Sequence, residues 1–561
     1  MIPAALSIGL SGVLAALIIF AGIVATKRFW GTRDYLAIAF GLATLGVASM
    51  VAFVAYWMHP IAGVIASVAI LGGSVGVLVA RSAWRYWRTA LPLFLLSVGL
   101  LLVYLGVLYL WDFPNGAFSL AAQRFSSNSM PTDNRIPYLF SEAIATGSST
   151  HPLIGDWNGS DRPPLQAGFL LIVRTVAAPI AGATSGVFGA SVVAQLLWIP
   201  ALFAAVRALG ASKTAAVTGV LMAAVTGTTI LNTLYTWPKM MSAAYVLISA
   251  VFLVDAIRRP SVFRRNFALA VLMFVLAALS HGAAAFAVPI VVALGLAAYR
   301  GHSRSEIVRA TAIAAGVGLV AYLPWVLYQR LADPPGDRLL RWHLAGVVGP
   351  GDPRSLPRTF LDQYGSLTPG EWIQGRLANI QAIVHLNPFN GISCLCADDI
   401  DSRRAEEFFT SSAALVFALP ALLVILAIIL VRVARRRGLL AHDRPLLFIV
   451  VASLASILLW VLLMFTPGST VVHQGSQVWL LLLLAAPAVW LARRHTRLAL
   501  ALVVVQALWT AVFYLPAGTG GEGLSAAALA VAVAGVLVTV GASLVILRRG
   551  RGARRAPIAA G

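Results

Sequence analysis

Charge is scarce in this chain. Only 11% of its 561 residues are Asp, Glu, Lys or Arg, against 60% hydrophobic, which excludes an ordinary water-soluble enzyme. Lysine is confined to Lys27, Lys213 and Lys239, so nearly every basic side chain apart from histidine is arginine, a bias that suits a GC-rich genome. Cysteine is limited to Cys394 and Cys396, and a lone C-x-C excludes a disulfide framework and makes a poor metal site. A basic n-region before the first apolar run is also lacking, so no cleavable signal peptide is expected.

Apolar runs fill the remainder. Runs of about 20 residues recur along most of the chain, each long enough to cross the hydrocarbon core as a helix. Lipid offers no partner to backbone N–H and C=O groups, so such runs must be helical. The predicted fold class is an all-α polytopic membrane protein. The formal charge of +21 would suit nucleic acid, but the arginines gather at the ends of apolar runs. They read as topology signals marking cytoplasmic loops, and no nucleic-acid partner is expected.

The basic clusters at Lys27–Arg33, Arg81–Arg88, Arg207–Lys213, Arg258–Arg265, Arg300–Arg309, Arg435–Arg437, Arg493–Arg497 and Arg548–Arg555 give a map of about fifteen spans, with the N-terminus outside. The run from Leu165 to Gly182 is apolar, but Arg174 sits at its midpoint. A mid-bilayer arginine costs at least about 2.5–3.5 kcal/mol, so this run is predicted to be an interfacial or re-entrant helix on the outer side. The division is then a four-span segment at 1–110, a core at 111–328 whose first outer loop is 111–165, a second outer insert at 329–409, and a five-span segment with a basic cytoplasmic tail at 410–561. Loops longer than about 12–15 residues in a compact fold are usually functional, so any chemistry is expected on the outer face.

The first insert carries the richest pattern. Asp133 and Asn134 precede "YLFSEAIATG", which reads as a helix ended by Gly147. Asp133 suits a general base acting on a substrate hydroxyl, and equally a helix N-cap. Farther on, "DWNGSDRPPLQAG" supplies Asp156, Trp157, Asp161 and Arg162, with Pro163 and Pro164 stiffening the backbone. Arginine grips phosphate oxygens bidentately; a lipid headgroup or Asp161 would also satisfy it.

The order of these pieces resembles the GT-C glycosyltransferases of the protein mannosyltransferase and aminoarabinose transferase type, whose first exported loop carries a pair of acids near its start and Lys-Pro-Pro-Leu near its end. Asp133-Asn134 matches the first, with Asn for the second acid. Asp161-Arg162-Pro163-Pro164-Leu165 matches the second, with Arg for Lys. The match covers a short segment, and four spans precede the loop where that family often has one. The resemblance implies a GT-C-like helical bundle in the cell membrane with an extracytoplasmic site. It implies a polyprenyl-phosphate sugar as donor and a glycan, lipid or protein as acceptor, with membrane lipids around both. Carried over, Asp133 would deprotonate the acceptor in an inverting single displacement, and Arg162 would hold the donor phosphate. Asp161 would orient Arg162 or touch the sugar. The resemblance leaves room for a divalent metal, for which the sequence offers no ligand signature.

Outside the motif, Lys239 follows Tyr235, Trp237 and Pro238 at the expected outer end of a span. It reads as a second phosphate contact with an aromatic sugar platform, or as a snorkelling lysine in an aromatic belt. His281 faces the same cavity or simply lies in a helix break capped by Ser280 and Gly282. In the second insert Trp342, His343, Glu371, Trp372, His385, Asp398, Asp399 and Asp401 have no motif order, and His473 belongs to a short outer loop. Two other classes compete with the transferase: a flippase or transporter of lipid-linked saccharides, which should carry ionisable groups in mid-membrane, and a non-catalytic scaffold of envelope synthesis.

Overall fold

Runs that lipid cannot satisfy close their hydrogen bonds within themselves. The computed structural model describes residues 2–30, 33–80, 83–111, 116–126, 132–347, 349, 352–384, 417–465, 477–515 and 523–552. Among these, helices are joined by turns, and pairing of the β type is limited to two isolated bridges. Cys394, Cys396, His385, Asp398, Asp399, Asp401 and His473 lie outside the described residues.

The N-terminal segment holds α1 (Ile2–Trp30), α2 (Asp34–Met58), α3 (Pro60–Val79) and α4 (Ala83–Leu108). The first insert contributes α5 (Ala117–Ser126) and α6 (Ile136–Thr146). The core continues through α7 (Leu165–Ala181), α8 (Ala183–Gln195), α9 (Trp198–Ala208), α10 (Lys213–Ala224), α11 (Gly227–Leu234), α12 (Lys239–Arg258), α13 (Phe263–Ser280), α14 (Val288–Tyr299) and α15 (Arg304–Leu327). Three short helices follow, α16 (Arg338–Ala345), α17 (Leu356–Gly365) and α18 (Pro369–Val384), then α19 (Ala418–Ala434), α20 (Asp443–Leu463), α21 (Gln477–Ala492), α22 (Thr496–Tyr514) and α23 (Ala526–Gly552). Among the described residues 11 helices are long and apolar enough to cross a membrane, or 12 if α10 and α11, bent by 75° at their junction, form one broken span. As described, α19, α21 and α22 are apolar but shorter, so length and composition support fewer crossings than the fifteen anticipated.

Polar contacts mark one end of the bundle. Lys27 Nζ lies 2.8 Å and Lys213 Nζ 3.8 Å from Asp34, joining α1, α2 and α10. Close by in the fold, Asp255 accepts from Tyr35 Oη at 3.4 Å and from Asn266 Nδ2 at 2.7 Å, and pairs with Arg259. Asp255 therefore belongs to the last turn of α12 and its partners, not to mid-span. The opposite end of α12 is Lys239, 16 residues before Asp255 and thus about 24 Å from it. The candidate site gathers there.

Helix α7 begins against α2 so closely that a Cβ on Gly168 would collide with the Ser49 carbonyl. Its later residue Thr175 hydrogen-bonds Tyr56 near the end of α2 at 2.9 Å. The two helices thus run in the same direction. Arg174 is neutralised by Glu142 of α6 through Nε and Nη2 contacts of 2.8 and 3.0 Å, which moves its charge off the lipid and onto the insert. At the far side of the bundle, α23 packs along α4 where Gly99, Gly106 and Gly535 let the backbones approach, since a Cβ on any of them would strike the facing helix.

Candidate functional site

The N-cap reading of Asp133 does not hold. Asp133 lies inside a single 3-10 turn, Thr132–Arg135, and α6 starts after Arg135 with no side-chain cap. Its carboxylate points inward instead. One oxygen is ion-paired with Arg162 Nη2, and the other accepts from Trp237 Nε1 at 2.7 Å. Asp133 and Arg162 side chains are 6% and 3% exposed, so this pair is buried and its partners are obligatory. The two halves of the sequence motif therefore meet in space.

The turn that delivers Trp237 is held deliberately. Thr236 has φ of +65°, a left-handed conformation that a β-branched residue adopts only when its surroundings enforce it. Asn134 Nδ2 donates to Tyr235 O at 3.0 Å and to Phe118 O at 2.8 Å. Gln166 Nε2 donates to Thr236 O at 3.2 Å, and Gln195, bonded to Gln166 at 3.1 Å, accepts from Met241 N at 3.2 Å. Three buried amides thus fix the strand of chain between α11 and α12. Lys239 follows at the first residue of α12, its ammonium 3.8 Å from the Trp237 ring centroid. Tyr235, Trp237 and Lys239 are all at most 2% exposed, which rules out a lipid-facing aromatic belt. The rings stand edge to face, 4.5 Å between centroids, as wall rather than open platform.

His281 forms the break between α13 and the next turn, and caps that turn itself: its Nδ1 accepts from Ala283 N at 3.0 Å. Ser280 is occupied with Leu276 O and does not cap. His281 Nε2 lies 3.4 Å from Arg162 Nη1. Burial, with Arg162, Lys239 and His343 nearby, keeps the His281 ring well below the ordinary histidine range. His343, from α16 in the second insert, is pushed down to about 4 by burial and by the same two basic side chains. Both imidazoles are neutral at pH 7.

Asp156, Trp157 and Asp161 form an outer layer. Asp161 accepts from Asn158 N at 2.8 Å in a capping box and lies 3.6 Å from Arg338 Nη1; among the described residues its hydrogen bonds do not include Arg162. Burial raises its carboxyl above the usual range, opposed by the Asn158 amide and by Arg338 and Arg162. Arg338 also bonds Asp156 Oδ2 at 2.7 Å, and the Trp157 ring centroid lies 4.5 Å from the Arg338 and 5.3 Å from the Arg162 guanidinium carbon. The second insert therefore closes over the first. Arg338, absent from the sequence-derived set, joins them at Asp156 and Asp161. Asp333 reinforces the seam, accepting from Ser160 N at 2.8 Å and pairing with His151 at 2.8 Å.

The residues present do not fit a divalent metal. Both Asp133 oxygens already accept hydrogen bonds, and Asn134 spends its amide nitrogen as a donor to two carbonyls. Among the described residues no group of three His, Cys, Asp or Glu side chains converges elsewhere.

No protein-family model and no curated protein matches the chain. Among solved structures it is similar to ArnT from Cupriavidus metallidurans bound to undecaprenyl phosphate, at 17% identity over 82% of this chain and 78% of that one, with a TM-score of 0.35. A likeness that distant transfers neither residue roles nor substrate.

Proposed function

We propose that the chain is a membrane glycosyltransferase of the GT-C type, transferring a sugar from a polyprenyl-phosphate donor to an envelope acceptor on the face opposite the basic loops. The observation that carries this reading is the buried meeting of Asp133, Arg162 and Lys239. Arg162 pairs with Asp133 and Lys239 lies within the field of the same carboxylate in a buried site, and a phosphodiester of the donor is an anion that two such basic side chains would attract. Fixed donors in such a site stabilise the phosphate charge that develops on the leaving group. Arg162 taking the phosphate frees a lone pair on Asp133 for the proton of the acceptor hydroxyl, which then attacks the anomeric carbon. The acceptor acts as nucleophile directly, so the configuration inverts.

The lipid tail has an apolar place to lie. A lateral groove of about 810 Å³ opens between α2, α13 and α15, lined by Met50, Val54, Leu272, Leu276, Val317 and Pro324. Leu276 stands on the last turns of α13 before His281, so the groove approaches the phosphate end of the site from the membrane side.

The test is transfer of label from a panel of radiolabelled polyprenyl-phosphate sugars into membrane glycans, lipids and proteins at matched expression. Wild type should incorporate label from one donor, and Asp133→Ala and Arg162→Ala should lose it. Robust wild-type transfer that survives both substitutions would sink the assignment. The transporter reading is less favoured by the structure, because Arg174 and Asp255 are both paired at the ends of the bundle or its insert.

A further inference from the structure

The chain between α11 and α12 carries Trp237, whose Nε1–H holds one oxygen of Asp133 at 2.7 Å. That chain does not hold itself. The left-handed backbone at Thr236 needs enforcement from outside. Its own hydroxyl gives none: Thr236 Oγ1 is buried and has no hydrogen-bond partner among the described residues. The grip comes from a relay of side-chain amides. Met241 N donates to Gln195 Oε1 at 3.2 Å, Gln195 Nε2 to Gln166 Oε1 at 3.1 Å, and Gln166 Nε2 to Thr236 O at 3.2 Å. Gln166, Gln195 and Thr236 are all fully buried, so any lost bond leaves a buried polar group unsatisfied. The backbone sets the polarity of the relay. A peptide N–H at one end only donates, and a peptide carbonyl at the other only accepts. A carboxamide offers one of each, and an ionised carboxylate at either position would break the series.

Gln166 also fastens the two partners of Asp133 to each other. It stands four residues after Arg162, beyond the stiff Pro163-Pro164 pair and in the first turn of α7. Arg162 and Trp237, which take different oxygens of Asp133, are therefore linked through Gln166 and the Thr236 carbonyl. We propose that Gln166 and Gln195 are positioning residues for the general base: they keep the Trp237 N–H on Asp133 Oδ1, so the carboxylate holds its plane when Arg162 passes to the donor phosphate. This rests on the transferase reading above. Pinned at Oδ1, the carboxylate presents the freed lone pair of Oδ2 to the acceptor hydroxyl in one direction. Without the relay the Thr236 turn relaxes, Trp237 shifts and Asp133 is free to rotate. A misplacement of about 1 Å costs on the order of 100-fold in rate, while the phosphate contact of Arg162 is untouched.

The experiment compares wild type, Gln166→Met, Gln195→Met and the double variant as full chains in nanodiscs. Methionine keeps the length of glutamine and removes both hydrogen bonds. Transfer is followed with the donor that wild type uses, and farnesyl phosphate is the binding probe. The indole N–H resonance of Trp237, assigned by its loss in Trp237→Phe, reports the bond to Asp133. Each single variant should lower kcat about 10- to 100-fold and bind farnesyl phosphate within about threefold of wild type. Each should also move the Trp237 resonance upfield, as Asp133→Ala does. The double variant should be within about threefold of the slower single one, because members of one relay are not additive. Losses that multiply in the double variant, or probe binding that falls in step with the rate, would overturn the proposal in favour of general packing damage. A Trp237 resonance unmoved in Gln166→Met would overturn it too. So would a Trp237→Phe that turns over as wild type does, an outcome that requires no glutamine variant to fold. Transfer lost in Arg162→Ala but kept in Gln166→Met sinks this inference and leaves the transferase standing. A wild type that transfers from no donor overturns the transferase reading and this inference with it.

Discussion

Replacing Asp133 by Asn separates charge from shape. The amide keeps an oxygen for the Trp237 N–H, which donates to Asp133 at 2.7 Å, but presents donors to Arg162. Arg162 would then be a buried guanidinium, 3% exposed, with no carboxylate opposite and Lys239 close by. Leaving one member of a buried ion pair uncompensated costs about 3–5 kcal/mol. Asp133→Asn should therefore melt at a lower temperature than wild type. Its surplus positive charge should at the same time bind farnesyl phosphate more tightly, by about tenfold or more, because at an effective dielectric of about 20 a unit charge a few ångströms away is worth several kcal/mol. Turnover should fall roughly 10²–10⁴-fold with the base gone. The assay combines thermal unfolding, ligand binding and sugar transfer on one detergent-purified preparation. Weaker phosphate binding in Asp133→Asn would refute the idea that Asp133 and the donor phosphate compete for Arg162. Unchanged transfer would refute the base.

Other outcomes follow from the same geometry. Asn134→Asp should not create a metal site but should lower stability by about 2–4 kcal/mol, since a carboxylate would face the Phe118 and Tyr235 carbonyls that the amide now satisfies; added magnesium should not restore the melting temperature. His343 titrates near 4 when folded and near 6.5 when unfolded, so the unfolded chain binds more protons in between. Stability should fall as pH drops from 6.5 to 4, by at most about 3 kcal/mol from this residue, and His343→Gln should flatten that part of a melting-temperature profile. A cysteine at exposed Ser148 in a Cys394→Ser, Cys396→Ser background should react with an impermeant maleimide in intact cells, while one at exposed Ser303 should react only after lysis. The reverse pattern would invert the proposed orientation.

Much of the bundle could be read from apolar runs alone, because spanning helices satisfy themselves locally and need no knowledge of their neighbours. Asp133 and Arg162 were legible as an ordered pair of motif pieces, though not their direct contact. Arg174 was legible as an anomaly in an apolar run, and Glu142 explains it. What local pattern could not supply was closure at long range. Arg338 reaches Asp156 across 182 positions, and no periodicity around "PPGDRLLRWH" points to such a partner. His343 enters the site's electrostatics only because the second insert folds onto the first. Asn134 looked like a lost acid and is instead an amide holding two carbonyls, a role that depends on a turn between α11 and α12. The fifteen-span map counted runs by hydropathy, whereas α10 and α11 break by 75° and several C-terminal helices are short as described.

The central claim is that a bond in the donor is broken at Asp133 and Arg162. It is tested most directly by following the chemical fate of a labelled polyprenyl-phosphate sugar in sealed proteoliposomes containing the protein and an acceptor extract. The account predicts that free polyprenyl phosphate accumulates in step with sugar on the acceptor, and that Asp133→Asn abolishes both. Donor recovered intact on the opposite leaflet, at the same rate in wild type and Asp133→Asn, would contradict it and identify a transporter.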